Sequence, residues 1–311
     1  MFDVISIGAA TVDFLVTCDQ FRLDDANKLL TLPSSSKNEI TRGLICSGGG
    51  ATNSAVSFSR LGLKSSCLSL LGNDPLSLYI INDLKDNQVD SSLLVQLDQE
   101  KTDYSVILIA PDGSRSILTN RGPTRLEVAH FHWDKLINTS WLYLTSLEGN
   151  LDLLETLIGF AKEHSIKISL NPGNRELANP SRLISFLPHL NFLLLNRVES
   201  ELLTGIGINQ TNYWEKLLSY GCPVTVVTNG REGAYVLTPA EKLFSPIINT
   251  KPVDETGAGD SFGAAFVSGL IHQLPLSEAL FWGIKNSASV VASLGAKAGL
   301  LNLLEIKSNN S

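Results

Sequence analysis

The sequence predicts an α/β fold, a mostly parallel sheet with crossover helices and a small β-rich flap near its N-terminal edge. Two observations carry the sheet and a third carries the flap. Residues 141–144, 166–170, 192–195 and 224–227 are short apolar runs, as expected of strands buried on both faces. Helical patterns at 151–163, 181–187, 198–203 and 213–219 alternate with them, which is how parallel strands joined by helices read in sequence. Residues 2–7 supply one more buried strand of the same sheet. Two segments break the alternation. Residues 16–45 are polar and irregular, and 102–119 read as a hairpin, strands 104–110 and 114–119 around the turn Pro111-Asp112-Gly113. Long structureless loops are rare in compact domains, so both segments are assigned to the flap.

Composition agrees with a folded chain. Of 311 residues, 43% are hydrophobic and 18% charged, ample apolar material for a core. Lys and Arg total 24 against 31 Asp and Glu, a formal charge of −7. Such a chain lacks the broad basic face that duplex nucleic acid or an anionic membrane attracts. No run approaches the roughly 18 apolar residues of a membrane span. The start, Met1-Phe2-Asp3-Val4-Ile5-Ser6-Ile7-Gly8, carries an acidic residue where a secretion signal carries positive charge. The four cysteines, Cys18, Cys46, Cys67 and Cys222, form no C-x-x-C pair, so neither a zinc site nor a thioredoxin-type couple is expected. These features point to a cytoplasmic protein with reduced thiols. Residues 33–38 and 307–311 are the candidates for disorder.

The strongest local signal is Asp254-Glu255-Thr256-Gly257-Ala258-Gly259-Asp260, which opens a helix. Phe262, Ala265, Phe266, Gly269 and Leu270 make its apolar stripe. Small residues at a helix start leave backbone N–H groups accessible, and the positive end of the helix suits a phosphate. Asp260 lies in the first turn, where a charged carboxylate can accept a proton. A phosphate cradle beside a carboxylate base is what phosphoryl transfer to a hydroxyl requires. Phe262 stands where a dinucleotide fingerprint needs glycine, and no G-x-x-x-x-G-K-[ST] occurs, which excludes two look-alikes. Taken alone, the motif reads as a turn into a helix, with Asp260 as a favourable first-turn charge.

A second glycine run, Gly48-Gly49-Gly50-Ala51-Thr52-Asn53, also leads into a helix, with a stripe at Ala51, Ala55 and Phe58 and Gly62 at its end. Glycines admit a ligand close to the backbone, and Asn53 offers a donor and an acceptor to a hydroxyl. A tight turn accounts for the run equally well. Asp13, after the first strand, adds a strand-end carboxylate.

Together these residues resemble the ribokinase-like (PfkB) carbohydrate kinase family over nearly the whole chain. Gly48 to Asp74, ending Leu71-Gly72-Asn73-Asp74, is similar to the family's N-terminal signature, and Asp254 to Gly269 to its more specific C-terminal one. Asn196-Arg197-Val198-Glu199 resembles its N-x-x-E motif, and Thr228-Asn229-Gly230-Arg231-Glu232-Gly233 its T-x-G-x-x-G nucleotide loop. The resemblance implies a three-layer α/β/α sandwich over 1–311, one catalytic domain, with a β-sheet lid from about 16–45 and 102–119. It implies an ATP-dependent kinase acting on a sugar alcohol group. Asp260 would be the base, and the N–H groups of Gly257, Ala258 and Gly259 the anion hole. Asp13, Gly49 and Asn53 would hold the acceptor; Glu148, read from its place after an apolar strand and not from the resemblance, either reaches the acceptor too or is a surface charge. Asn196, Thr228, Gly230 and Asn286 would line the ATP side, and Glu199 would hold Mg²⁺, in part through water. Asp254 and Gly295 resemble positions that bind a monovalent cation (K⁺) in some members. The lid closes over the substrate in the family and pairs two subunits in many members, which implies a homodimer.

Some positions depart from the family's pattern. Asn73 and Ser77 replace an Asp and a Gly of its G-D-D-x-x-G stretch. Gly50 stands where ribokinases carry Lys, and Asn171-Pro172-Gly173 where fructokinases carry Asp-Pro-Asn, so neither ribose nor fructose follows. A nucleoside kinase, with Phe14 or Phe21 as a base platform, and a non-catalytic sugar-binding or regulatory protein on the same fold are the alternatives. An intact Asp260 motif argues against the second. Residues 8–19 and 43–59 contain no Lys or Arg, so the acceptor is expected to be neutral rather than a sugar phosphate. Arg115, Arg121 and Arg125 read as solvated charges in or near the flap, with Arg121 in reach of a phosphate. His130-x-His132 lacks a third ligand nearby, and Trp141 and Trp282 read as core.

Overall fold

The structure is a computed structural model that describes residues 1–24, 29–110, 115–122 and 125–308. In chain order the strands that position the site are β1 (Val4–Ile7), β2 (Thr11–Thr17), β3 (Arg42–Gly48), β4 (Ser65–Leu68), β5 (Asp103–Ile109), β6 (Arg115–Asn120), β7 (Trp141–Leu144), β8 (Lys167–Leu170), β9 (Phe192–Asn196), β10 (Thr225–Thr228), β11 (Ala234–Leu237) and β12 (Lys242–Ser245). The longer helices are α1 (Gly50–Arg60), α2 (Pro75–Asp86), α3 (Leu151–Glu163), α4 (Arg197–Thr204), α5 (Ala258–Ile271) and α6 (Leu276–Val291).

An eight-stranded sheet runs β12-β11-β10-β9-β8-β7-β1-β4. It is parallel from β4 to β10, and β11 and β12 close it antiparallel. The predicted strands at 2–7, 166–170 and 224–227 form as β1, β8 and β10 with ends moved by one or two residues. The helix predicted over 151–163 forms as α3. Asn150 caps it by accepting from Leu153 N, and Leu154, Leu157 and Ala161 bury its stripe.

Apolar residues cover both faces of the sheet. On one side Leu144 and Leu170 pack with Leu154 and Leu157 of α3. On the other Val4, Tyr143 and Leu194 pack with Phe262 and Phe266 of α5. Each such buried side chain contributes about 1.5–3 kcal/mol. Trp141 and Trp282 are core, as read from the sequence.

A separate four-stranded sheet runs β6-β5-β2-β3. Its first two strands in sequence, β2 and β3, run from Thr11 and to Gly48, so they reach beyond the polar stretch 16–45 at both ends. Arg22–Asp24 and Leu29–Thr31 form a small hairpin within that stretch. β5 and β6 pair antiparallel as predicted, while the turn at 111–113 lies outside the described residues. Residues 33–38 form a largely exposed turn in which Ser36 Oγ and Asn38 Nδ2 donate to Pro33 O at 3.0 and 3.2 Å. Lys307 ends a short helix, Leu303–Lys307, and 309–311 lie outside the described residues. No helix among the described residues is long and apolar enough to cross a membrane.

Candidate active site

The site lies where parallel strands end at their carboxyl edge, which is where such sheets bind ligands. β1 leads to Ala9, β7 to Thr145–Glu148, β9 ends at Asn196 and β10 at Thr228. The two glycine runs then bring α1 and α5 to this edge. Gly257 caps α5 in a left-handed conformation, φ 76°, with no side chain capping the helix. A Cβ there would overlap Ala296, so only glycine lets the loop pass. The first-turn N–H groups of α5 therefore face outward, although that of Ala258 also donates to Glu255 O at 3.3 Å.

Asp260 sits in that first turn, half-buried. Asn53 of α1, itself 4% exposed, donates from Nδ2 to Asp260 Oδ2 at 2.9 Å. The other end of the Asn53 amide, Oδ1, is buried without a partner among the described residues. Burial raises the Asp260 carboxyl above its ordinary value, and the Asn53 amide and the Lys297 ammonium oppose the shift. The result is a carboxylate with increased affinity for a proton, beside an acceptor oxygen that lacks one.

Asp13 is the third residue of β2 rather than part of a loop, and only 6% exposed. It sits against Gly48, where a Cβ would overlap its Oδ2. Burial raises its carboxyl, offset by the Thr11 and Ser105 hydroxyls and by Lys297. Gly49, φ 92°, opens α1 with its carbonyl accepting from Asn53 N at 3.0 Å. Phe14 lies on the opposite face of β2 from Asp13 and meets Tyr104 edge-on, while Phe21 is buried. Neither offers a platform on the Asp13 face.

Glu148 follows β7 with φ 56°. Arg121 Nη1 and Arg175 Nη1 both contact its Oε2, the latter at 2.9 Å. Its loop hangs on Glu176, a buried carboxylate that the sequence did not single out. Glu176 accepts from Leu147 N, Gly149 N and Gly173 N, each at 2.8 Å, and from Ser146 Oγ. Arg125 pairs with Glu127. His130 is tied to the same segment, with Nδ1 accepting from Glu127 N at 3.0 Å.

On the far side of α5 opens a cavity of 470 Å³, large enough for a nucleotide. Asn196, Thr228, Gly230, Ala258 and Gly259 line it, as does Arg115 of β6. Ile284, Ser287, Ala288 and Val291 of α6 complete one wall, a stripe at helical spacing. Asn286 falls on the other face of α6, and the structure does not bring it to the cavity. It is fully buried, donating to Ser57 Oγ and Ser261 O and accepting from Leu301 N. Its expected place on the ATP side is corrected to a brace between α1, α5 and α6. Asn196 and Glu199 form a reciprocal capping box at the start of α4, Glu199 Oε2 accepting from Asn196 N at 2.8 Å and Asn196 Oδ1 from Glu199 N at 2.9 Å. Burial raises the Glu199 carboxyl.

Asp254 and Gly295 do come together, the Gly295 N–H donating to Asp254 Oδ2 at 2.9 Å. Asp254 Oδ1 takes Thr256 N at 2.9 Å, Thr256 Oγ1 at 2.7 Å and Arg115 Nη1 at 3.2 Å. Arg115 is therefore not a solvated flap charge. Two residues on from Gly295, Lys297 is another group the sequence did not reveal. Its buried Nζ donates to Ser47 Oγ at 2.5 Å and Asp83 Oδ2 at 2.8 Å, and burial lowers its pKa.

Residues 1–302 match the sequence profile of a family described as pfkB family carbohydrate kinase. The chain is 26% identical to a ribokinase of Staphylococcus aureus, over 97% of this chain and 98% of that one. It is 24% identical to a nucleoside kinase of Methanocaldococcus jannaschii, over 96% and 94%. The structure of an Arabidopsis thaliana ribokinase complexed with ribose and ATP has the same fold, with a TM-score of 0.80 at 19% identity over 98% of this chain and 97% of that one.

Proposed function

Because this chain belongs to the pfkB family of carbohydrate kinases, it is an ATP-dependent sugar kinase, and we propose that it transfers the terminal phosphoryl group of ATP in line to a hydroxymethyl group of a neutral sugar. The observation that carries this reading is the Asn53–Asp260 pair at the uncapped start of α5. Asp260 takes the proton of the attacking hydroxyl. The unpartnered Asn53 Oδ1 accepts from an acceptor hydroxyl. The N–H groups of Gly257, Ala258 and Gly259 receive the charge that builds on the phosphoryl oxygens. Asp13, Gly49 and Glu148 hold further hydroxyls, and Asn196, Thr228 and Gly230 lie along the nucleotide.

Mg²⁺ fits this site as a companion of the phosphates rather than as a caged ion. Among the described residues no three His, Cys, Asp or Glu side chains gather. Asn196, which lines the cavity, and Glu199, paired with it in the capping box, offer oxygens of the kind that Mg²⁺ takes with one or two side chains, waters and phosphates. When bound, it neutralises phosphate charge.

The acceptor is a sugar or nucleoside, and charge favours a neutral one. Arg121 and Arg175 are committed to Glu148 and Arg115 to Asp254, so none of these guanidiniums is left over for a phosphorylated acceptor. We read residues 1–311 as one catalytic domain whose small sheet is the lid. β6 is exposed along its whole length, Ile117 and Leu118 included, and Leu44 and Ile45 are exposed on β3 at the opposite edge of the same sheet. An open edge of this kind favours pairing, here with a second copy as a homodimer. Four free cysteines accord with work in the cytoplasm.

Coupled ADP release with Mg-ATP, over free sugars, nucleosides and their phosphate esters, tests the reading. It expects acceptor-dependent ADP release that favours a neutral acceptor by about tenfold or more. No acceptor-dependent release, or the same preference for an ester, would count against it.

A further inference from the structure

The resemblance leads to a monovalent cation at Asp254, and the residues present do not fit one. The side chain of Asp254 is 4% exposed, and its oxygens already meet four donors: Thr256 N, Thr256 Oγ1, Gly295 N and Arg115 Nη1. The nearby carbonyl of Val291 is also occupied, accepting from Val253 N at 2.8 Å and Asp254 N at 3.2 Å. A cation needs oxygens with free lone pairs, and one placed on Asp254 would also face a guanidinium of like charge. The positive charge at this carboxylate comes from the protein.

We propose that Arg115 is a built-in replacement for the monovalent cation. From β6 of the small sheet its guanidinium holds the loop Asp254–Gly257, the loop that sets the start of α5 and its phosphate-facing N–H groups. Arg115 also lines the nucleotide cavity beside Ala258 and Gly259, so this one ion pair ties the small sheet to the phosphate end of the site. It acts as a positioning residue through Asp254. Two consequences follow: the wild-type enzyme does not respond to K⁺, and loss of the guanidinium creates a response.

The test compares wild type and Arg115→Ala in KCl and in tetramethylammonium chloride at matched ionic strength, reading both thermal melting and kcat. The kcat arm rests on the kinase reading, whereas the melting arm needs no turnover, so failure of the two can be told apart. Wild type is expected to melt and turn over alike in both salts. Arg115→Ala should melt lower and lose about 10²-fold in kcat, as for a misplaced site, with both defects partly recovered by KCl alone. The proposal is overturned if K⁺ specifically stabilises or activates the wild type. It is overturned equally if Arg115→Ala matches wild type, or if KCl recovers neither of its defects.

Discussion

Asn53 on α1 and Asp260 on α5 are joined by a 2.9 Å hydrogen bond between residues 207 positions apart in the chain. The bond fixes the donor end of the amide on the carboxylate and leaves Oδ1 turned into a buried space without a partner. An unmade hydrogen bond in a buried site is costly, so that oxygen is poised for a ligand donor. Asn53→Ala should raise the acceptor KM about tenfold, the worth of roughly one such bond, and leave the Mg-ATP KM unchanged. The amide also lowers the Asp260 carboxyl, so its loss should move the acid limb of kcat/KM to higher pH. An unmoved limb with an unchanged acceptor KM would show that the amide acts on neither.

The raised carboxyl also has a signature in stability. Burial raises the Asp260 carboxyl, so the folded protein keeps this proton to a higher pH than the unfolded chain does. Between the two values the folded state binds more protons, and stability falls as pH rises. The contribution is fully present below the unfolded value and lost above the folded one. Asp260→Asn should therefore melt higher than wild type near about pH 8, with the gap closing on acidification to about pH 4. Melting curves across pH check this, and a gap that widens on acidification would reverse the sign.

Gly48 and Asp13 share a contact that admits no side chain. A Cβ at Gly48 would overlap Asp13 Oδ2. Gly48→Ala should push that carboxylate aside and raise the acceptor KM by about tenfold or more, while Mg-ATP affinity is kept. Equal losses for both substrates would place the damage elsewhere.

Lys297 braces the acceptor side from behind through Ser47 and Asp83. Lys297→Met leaves Asp83 without its counterion and should cost up to about 3 kcal/mol, the lower end for a broken buried pair because Asp83 keeps some solvent contact. Denaturant melts of Lys297→Met, Asp83→Asn and the double variant measure it. The double variant should lose less than the sum of the two, and simple additivity would deny the pair.

The parts legible in the sequence are those with local causes. The glycine run before Asp260 marks a helix start because glycine tolerates the left-handed turn at Gly257, and Asn196 with Glu199 is a capping pair three residues apart. The apolar strands β7, β8 and β9 stand out because both their faces are buried. β4, Ser-Ser-Cys-Leu, is equally buried but small and polar, so it escaped notice. β12 lies at the antiparallel edge, where partial exposure breaks the apolar run. What stayed hidden depends on distance or on helix face. Lys297 meets Ser47 across 250 positions, and Arg115 meets Asp254 across 139. Asn286 is the right kind of residue on the right helix, but two positions from Ile284 turns it about 200° away from the cavity stripe.

If Asp260 is the base, Asp260→Asn removes turnover while leaving the fold in place. Asn keeps the shape and can still accept from Asn53, but it cannot take a proton. The account predicts a kcat lower by about 10²–10⁴-fold, with Mg-ATP binding and a cooperative melt retained. A variant that keeps more than about a tenth of wild-type kcat, with the same acceptor and donor, would contradict it.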